Sequence, residues 1–272
     1  MGARPTKQLS LTRVRELFSG GMARLTLAHQ GDGRQVVIRE LLRRNLFRVR
    51  FHLRFVNGTR IREELTPHHS IVGSIRRGYA RLVPYEIIEY IDGHSLRKLI
   101  QNRDPLIAAH SLQILREAAA GLAYVHGKGV IHLDVKAENY LVAVRDAGIV
   151  VKLTDFDLSM ETASAHRRQL AGTEAYVAPE QVKHGVIGPA ADVFAFGIMA
   201  YYLVTGRMPF QGTTKKERLW QQISESFSVA PPRSLNPQLA PKIESIIMSC
   251  LEKDPAKRFP SMSYLCKELG GT

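Results

Sequence analysis

Val130-Ile131-His132-Leu133-Asp134-Val135-Lys136-Ala137-Glu138-Asn139 is the stretch on which the reading of this 272-residue chain turns. It sets a carboxylate, a lysine two positions on and an asparagine five positions on in one short loop, and an apolar run at 140–144 follows. Asp155 comes sixteen positions after Asn139, at the end of a second apolar run, in Lys152-Leu153-Thr154-Asp155-Phe156-Asp157. Phosphoryl transfer needs this set of parts: a carboxylate to orient a hydroxyl nucleophile, oxygen ligands for divalent cations, and a cation near the moving phosphate. Two ordinary strand ends would carry solvated Asp and Lys, but the shared order and context of the motifs argue against that.

Outward from this loop, the hydrophobic period changes along the chain. Residues 9–40 read as strands and turns: Gly20-Gly21, alternating Leu25 and Leu27, Gly31-Asp32-Gly33, then Val36-Val37-Ile38. Residues 41–65 fit two periods. Leu42, Leu46, Val49, Leu53 and Val56 follow a helix, whereas Val49-Phe51-Leu53-Phe55 alternate into Asn57-Gly58, a hairpin signal. Residues 71–75 and 83–90 read as strands. After Asp92-Gly93 the pattern turns helical at 95–102 and 108–127, and it stays mostly helical beyond Pro179. Residues 193–205 are nearly all apolar, which predicts a buried central helix. Strands first and helices later predicts an α+β fold of two lobes, a small β-rich one and a larger helical one, joined near residues 89–93.

Composition narrows the class. The length suits a single domain over 1–272, and 44% hydrophobic residues are enough for a large core. No apolar run approaches the ~20 residues that cross a bilayer, the longest being around 197–204. An apolar signal region is absent from the N-terminus, and the two cysteines, Cys250 and Cys266, have no metal-site spacing. A cytoplasmic, reducing location is therefore expected. Met1-Gly2-Ala3-Arg4-Pro5-Thr6 fits the loose N-myristoylation pattern. Net charge is +13, and residues 34–62 hold nine arginines (Arg34, Arg39, Arg43, Arg44, Arg48, Arg50, Arg54, Arg60, Arg62) against one acid, Glu40. That run reads either as a solvated face or as a surface for an anionic partner. Specific nucleic-acid binding is not expected, because the aromatics are not interleaved in the way stacking platforms would require.

These motifs together resemble the protein kinases, specifically the eukaryotic-like Ser/Thr family, from about Leu11 to Leu269. The resemblance implies a two-lobed kinase domain, with about 11–90 as the N-lobe and 91–270 as the C-lobe. It implies ATP and Mg²⁺ as cofactors and a protein as substrate. His132-Leu133-Asp134 stands where the family has His-Arg-Asp, which makes Asp134 the residue that orients the substrate hydroxyl. By the same resemblance Lys136 neutralises the γ-phosphate, and Asn139 and Asp155 hold Mg²⁺. Gly20, Gly21, Leu25, Val37, Arg39, Glu89, Ile91 and Leu141 are the implied nucleotide-binding positions. Gly172-Thr173-Glu174-Ala175-Tyr176-Val177-Ala178-Pro179-Glu180 looks like the end of an activation segment, with Glu180 expected to pair with Arg258. Asp192 is expected to brace the catalytic loop. Lys136 and Thr173 lean towards serine and threonine substrates.

Several positions depart from the family pattern. The glycine-rich loop has become Phe18-x-Gly20-x-x-Ala23, and Val-Ala-Ile-Lys has become Val36-Val37-Ile38-Arg39. An arginine fork cannot copy a compact ammonium at one phosphate site. The helix glutamate expected near position 58 is missing, as Asn57, Gly58 and Thr59 are not acidic, and Glu63 or Glu64 would serve only in a shifted register. Asp157 replaces the glycine of Asp-Phe-Gly, and Leu133 removes the arginine that would read phosphate on Ser159, Thr162 or Ser164. Two readings follow: a Ser/Thr kinase, or a catalytically impaired relative kept as a binding module.

Overall fold

Alternation over residues 11–41 does produce strands. The computed structural model describes residues 10–146, 148–164, 172–183 and 185–270, so the Met1-to-Thr6 motif lies outside the described residues. Chain contacts divide the molecule into two units, one of Met1–His68 with Val72–Ile91 and one of His69–Ile71 with Asp92–Thr272.

The first unit is a five-stranded antiparallel sheet in the order β1-β2-β3-β5-β4: β1 Leu11–Ser19, β2 Ala23–Gln30, β3 Gln35–Leu41, β4 Ser74–Ala80 and β5 Val83–Glu89. Gly33 closes the β2–β3 turn at φ +84, where a side chain would be strained. Period-two side chains sort to opposite faces. Ala28, Val36, Ile38 and Ile87 cluster on one face. Ala23 and Leu41 pack on the other against Phe55 of helix α1, Val49–Leu65.

Helix wins the ambiguous stretch because Phe55, Gly58, Ile61 and Leu65 bury one stripe at helical spacing. Asn57-Gly58, read as a hairpin signal, lies inside that helix. The strand expected at 71–75 is displaced to β4. Gly73 N donates to the Glu89 side chain at Oε1 (2.7 Å), and the Gly73 carbonyl accepts from Glu89 N (3.0 Å). Ile71 makes only an isolated parallel bridge to Leu153.

The second unit is mainly helical. Its elements are β6 His94–Ser95, α2 Leu96–Gln101, α3 Pro105–Gly127, β7 Val130–Ile131, β8 Tyr140–Arg145, β9 Gly148–Leu153, β10 Met160–Glu161, α4 Pro179–Val182, α5 Pro189–Thr205, α6 Lys215–Ile223, α7 Pro241–Cys250 and α8 Met262–Glu268. Helix α3 starts three residues earlier than its apolar pattern because Asp104 caps it, accepting from Leu106 N, with Pro105 in the first turn. Helix α5 is the expected buried element, with twelve of its residues buried, and it stops at Gly206 with φ +69. Gly197 of α5 lets α7 approach closely: a Cβ there would lie 2.6 Å from Cys250 Cβ. Strands β8 and β9 form a hairpin, with β6 on its other edge, while β7 pairs with β10. No helix among the described residues is long and apolar enough to cross a membrane.

Candidate active site

The loop quoted at the outset runs from β7 to β8, and its backbone is shaped by one buried carboxylate. Asp192, in the first turn of α5, accepts from His132 N (2.7 Å) and His126 Nε2 (2.8 Å) on Oδ2, and from Leu133 N (2.8 Å) on Oδ1. Burial alone would raise this carboxyl's pKa. The hydrogen bonds from the His126 ring and the His132 backbone outweigh that and hold it below the ordinary value. The grip matters because Leu133 sits at φ +62, a left-handed conformation that a branched side chain resists. Leu133 is itself buried, so an apolar side chain fills the place of the expected arginine.

His132 is fully enclosed and its ring meets the Phe156 ring at a 60° tilt, centroids 5.0 Å apart. Burial pushes the imidazole pKa down, against the pull of Asp192 and Asp134. The neutral ring fits its partners: Nδ1 accepts from Asp134 N (3.2 Å), which leaves Nε2–H to donate to the Thr154 carbonyl (3.1 Å). A neutral histidine thus ties the loop bearing Asp134 to the strand end bearing Asp155.

Asp134 is buried at 7% exposure and is the hub of a four-residue network. Lys136 Nζ donates to Asp134 Oδ2 (2.6 Å) and to Thr173 Oγ1 (2.7 Å). Thr173 in turn donates from Oγ1 (2.8 Å) and N (3.1 Å) to Asp134 Oδ1. Asn139 Nδ2 donates to the Asp134 carbonyl (2.8 Å) and to Oδ2 (3.1 Å). Such a carboxylate is fixed in direction, charge-compensated by one ammonium and ready to accept from a hydroxyl. Gly172 brings Thr173 into place. It has φ +121, and a Cβ there would meet the Leu133 carbonyl at 3.0 Å.

The backbones that carry the two residues expected to hold Mg²⁺ adjoin. Thr154 N donates to the Asn139 carbonyl (2.9 Å), which sets Asp155 directly beyond Asn139, and Asp155 holds φ +62. Both Asn139 amide protons are spent on Asp134, which leaves its Oδ1 as an oxygen ligand. No group of three or more His, Cys, Asp or Glu among the described residues could cage a metal alone. A carboxylate plus an amide oxygen fits Mg²⁺, which binds through few protein oxygens and shares the phosphates of its substrate. Asp157, where a glycine was expected, is buried, and its N donates to Asp155 Oδ1 (3.4 Å). Ser159, raised as a phosphate acceptor, is also buried and donates to the His132 carbonyl (3.1 Å).

Beside the network, Glu180 and Arg258 form the expected pair through two parallel bonds of 2.8 Å, and Arg258 Nη1 also reaches the Ala190 carbonyl at 2.7 Å. Both residues are buried.

In the first unit, Leu25 and Arg39 are cross-strand partners on β2 and β3, and Val37 lies two positions before Arg39 on the same face. Gly20 and Gly21 form the β1–β2 turn, where Gly20 N donates to the Ala23 carbonyl (3.0 Å). Phe18 is 61% exposed. Arg39 is buried against an acid that the sequence reading missed: Glu86 on β5, its cross-strand partner, 3.7 Å from Nη1. Arg62 Nε of α1 lies 3.0 Å from the same carboxylate, and the Phe55 ring sits 4.6 Å from the Arg39 guanidinium carbon. Helix α1 thus brings a cation where an acid was expected. Glu63 and Glu64 pair with Arg77 (2.5 Å) and Arg60 (2.8 Å). The signal for Glu86 was present: an acid in the middle of Val83-Pro84-Tyr85-Glu86-Ile87-Ile88-Glu89 must be buried with a cation or not at all. The Glu89 carboxylate is used by Gly73 N, Ile91 is buried, and Leu141 lies on β8 paired with Lys152 of β9.

A family model described as Protein kinase domain matches residues 11–269. Several bacterial proteins are similar over most of the chain. A protein named "Serine/threonine-protein kinases drp72" from Corynebacterium efficiens is 29% identical over 256 residues, 91% of this chain and 48% of that protein. Serine/threonine-protein kinase PknB of Mycolicibacterium smegmatis is 27% identical over 260 residues, 92% of this chain and 41% of its own. A probable serine/threonine-protein kinase of Streptomyces coelicolor is 30% identical over 257 residues, 90% and 37% respectively. The chain therefore spans less than half the length of these relatives.

Proposed function

Because this chain belongs to the protein kinase domain family, we propose that it is a Ser/Thr protein kinase, passing the γ-phosphate of ATP to serine or threonine hydroxyls of a protein. The observation that carries the reading is the Asp134–Lys136–Thr173–Asn139 network, closed by bonds of 2.6–3.1 Å and braced from below by Asp192. In this reading the whole chain is one kinase domain, with about 11–90 as its N-lobe and 91–270 as its C-lobe.

Asp134 accepts a hydrogen bond from the substrate hydroxyl and aims its oxygen at phosphorus. Lys136, already beside Asp134, places positive charge near the transferring group. Thr173 holds the two in register. Asn139 Oδ1 and the Asp155 carboxylate would hold Mg²⁺. When bound, Mg²⁺ supplies charge neutralisation on the ATP phosphates. Gly20, Gly21, Leu25, Val37, Arg39, Glu89, Ile91 and Leu141 are the proposed nucleotide contacts, with Arg39 contributing charge while held by Glu86. Positioning and charge stabilisation supply most of the catalysis in phosphoryl transfer, and these are the tasks proposed for these groups. The impaired-module alternative rested on Phe18, Ala23, Val37, Arg39, the missing helix glutamate and Asp157, and it finds no support among the relatives named above, all three of which carry kinase names. The reading also includes a reducing, cytoplasmic setting, fitting two free cysteines, and an anionic partner for the arginine-rich first unit.

A thermal-shift titration with ATP tests the nucleotide part. The expected result is a Tm that rises with ATP and rises further with Mg²⁺, because only ligands of the native state stabilise it. No shift at millimolar ATP would remove this reading.

A further inference from the structure

Between Leu41 and Arg62 the chain carries seven arginines and no acidic residue. Some of these arginines are engaged. Arg62 is buried against Glu86, Arg60 pairs with Glu64, and Arg44 donates to the Gly20 carbonyl. Arg43, Arg48 and Arg50 are exposed and have no acidic partner among the described residues. They surround the start of α1, whose first turn has no acid and whose cap residue, Arg48, makes no side-chain capping bond. The unpaired backbone N–H groups of that turn add to the positive potential instead of being offset.

The same segment turns apolar side chains outward. Phe47 is 91% exposed, Val49 68% and Leu53 62%. Val49 and Leu53 are one turn apart and share a face of α1, while Phe51 and Phe55 pack inward. The segment is firmly seated. Asn45 is fully buried, and its Nδ2 donates to the carbonyls of Gly21 (2.8 Å) and Met22 (3.3 Å). Leu42 N donates to the Met22 carbonyl (2.9 Å), and Leu46 packs on the core. The outward apolar residues are therefore held in place, at a cost in solubility.

A face of protruding apolar side chains among unpaired arginines matches the interface of an anionic bilayer. Guanidinium groups reach lipid phosphates there, and apolar side chains enter the acyl boundary. An acidic protein would satisfy the arginines and leave Phe47 in water. A nucleic acid would do the same, with one lone aromatic for stacking. We propose that Phe47, Val49 and Leu53, with Arg43, Arg48 and Arg50, form a docking surface for anionic lipid membranes. The inference rests on the anionic-partner reading above and is independent of phosphate transfer.

Flotation of the whole chain with vesicles tests it. One set is phosphatidylcholine alone, the other phosphatidylcholine mixed with phosphatidylglycerol. Polyglutamate and duplex DNA serve as soluble polyanions. Binding to the mixed vesicles and not to phosphatidylcholine alone is expected. Changing Arg43, Arg48 and Arg50 together to alanine should weaken it on the order of a hundredfold, at about fivefold per arginine. Changing Phe47 and Leu53 together to serine should weaken it on the order of a hundredfold while leaving polyglutamate binding unchanged. All these side chains are exposed, so the variants should melt like the parent. Should the serine variant float as well as the parent, or should either soluble polyanion outcompete the vesicles, the proposal is overturned. Loss of phosphate transfer with intact flotation would count against the enzymatic reading alone.

Discussion

Replacing Asp192 by asparagine changes one oxygen into an NH₂ group, at the residue that holds the catalytic loop. In the parent, two carboxylate oxygens accept three hydrogen bonds of 2.7–2.8 Å, two of them from consecutive backbone N–H groups. An asparagine that keeps its oxygen towards His132 N and His126 turns its NH₂ towards Leu133 N–H, donor against donor. One charge-assisted bond is lost, at about 1.5–3 kcal/mol, and a buried N–H is left unsatisfied, at about 1–3 kcal/mol. The two remaining bonds weaken as the acceptor loses its charge. A total near 4 kcal/mol is the expected cost, which for a domain of this size lowers Tm by on the order of 10 °C. The consequence for chemistry is separate. Leu133 is held at φ +62 by the bond that disappears, so the loop relaxes and Asp134 shifts. Small misplacements of a reacting group cost about a hundredfold in rate. The assay pairs differential scanning calorimetry with initial rates at saturating ATP. A variant that melts within about 2 °C of the parent, or that keeps its kcat, would refute the argument that Asp192 shapes the loop.

Three further outcomes follow from the same geometry. Thr173→Val removes the hydroxyl that links Lys136 to Asp134, so kcat should fall about tenfold with the KM for ATP little changed, while Thr173→Ser retains activity; steady-state kinetics on the three proteins decide it. Arg258→Met leaves Glu180 buried without its cation and should cost about 3–5 kcal/mol in urea unfolding, with part of the loss recovered when Glu180→Gln is added. His132 is buried and neutral, with its pKa below the ordinary 6.5, so the unfolded chain binds a proton that the folded chain refuses. Stability is then complete above the unfolded value and declines as pH drops through it, which urea titrations across that range read out.

The second unit was largely legible because its chemistry is local in sequence. Asp134, Lys136 and Asn139 lie within six residues, and one short loop brings them together. The Glu180–Arg258 pair spans 78 positions and was still foreseen, since each partner sits in its own short motif. The first unit was harder. Residues 41–65 carried two hydrophobic periods at once, and only burial of Phe55, Ile61 and Leu65 against the sheet decides for the helix. Glu86 escaped notice because its link to Arg39 is set by the β3–β5 register, which no nearby residue announces. The displaced strand β4 has the same kind of cause, as the Glu89 side chain takes the Gly73 N–H that a ladder would have used. Of the positive-φ residues, the two at the site, Leu133 and Asp155, could not be read from residue type, since neither is glycine. Both conformations are imposed by the surroundings.

Transfer of labelled γ-phosphate to a generic protein substrate, with identification of the modified amino acid, tests the central claim most directly. The parent chain should label serine or threonine in a Mg²⁺-dependent reaction. Asp155→Asn should abolish the label, and Asp134→Asn should cut turnover while leaving ATP binding largely intact. Equal labelling by the parent and both variants, or no labelling by any of them in the presence of an ATP-dependent thermal shift, would contradict the account.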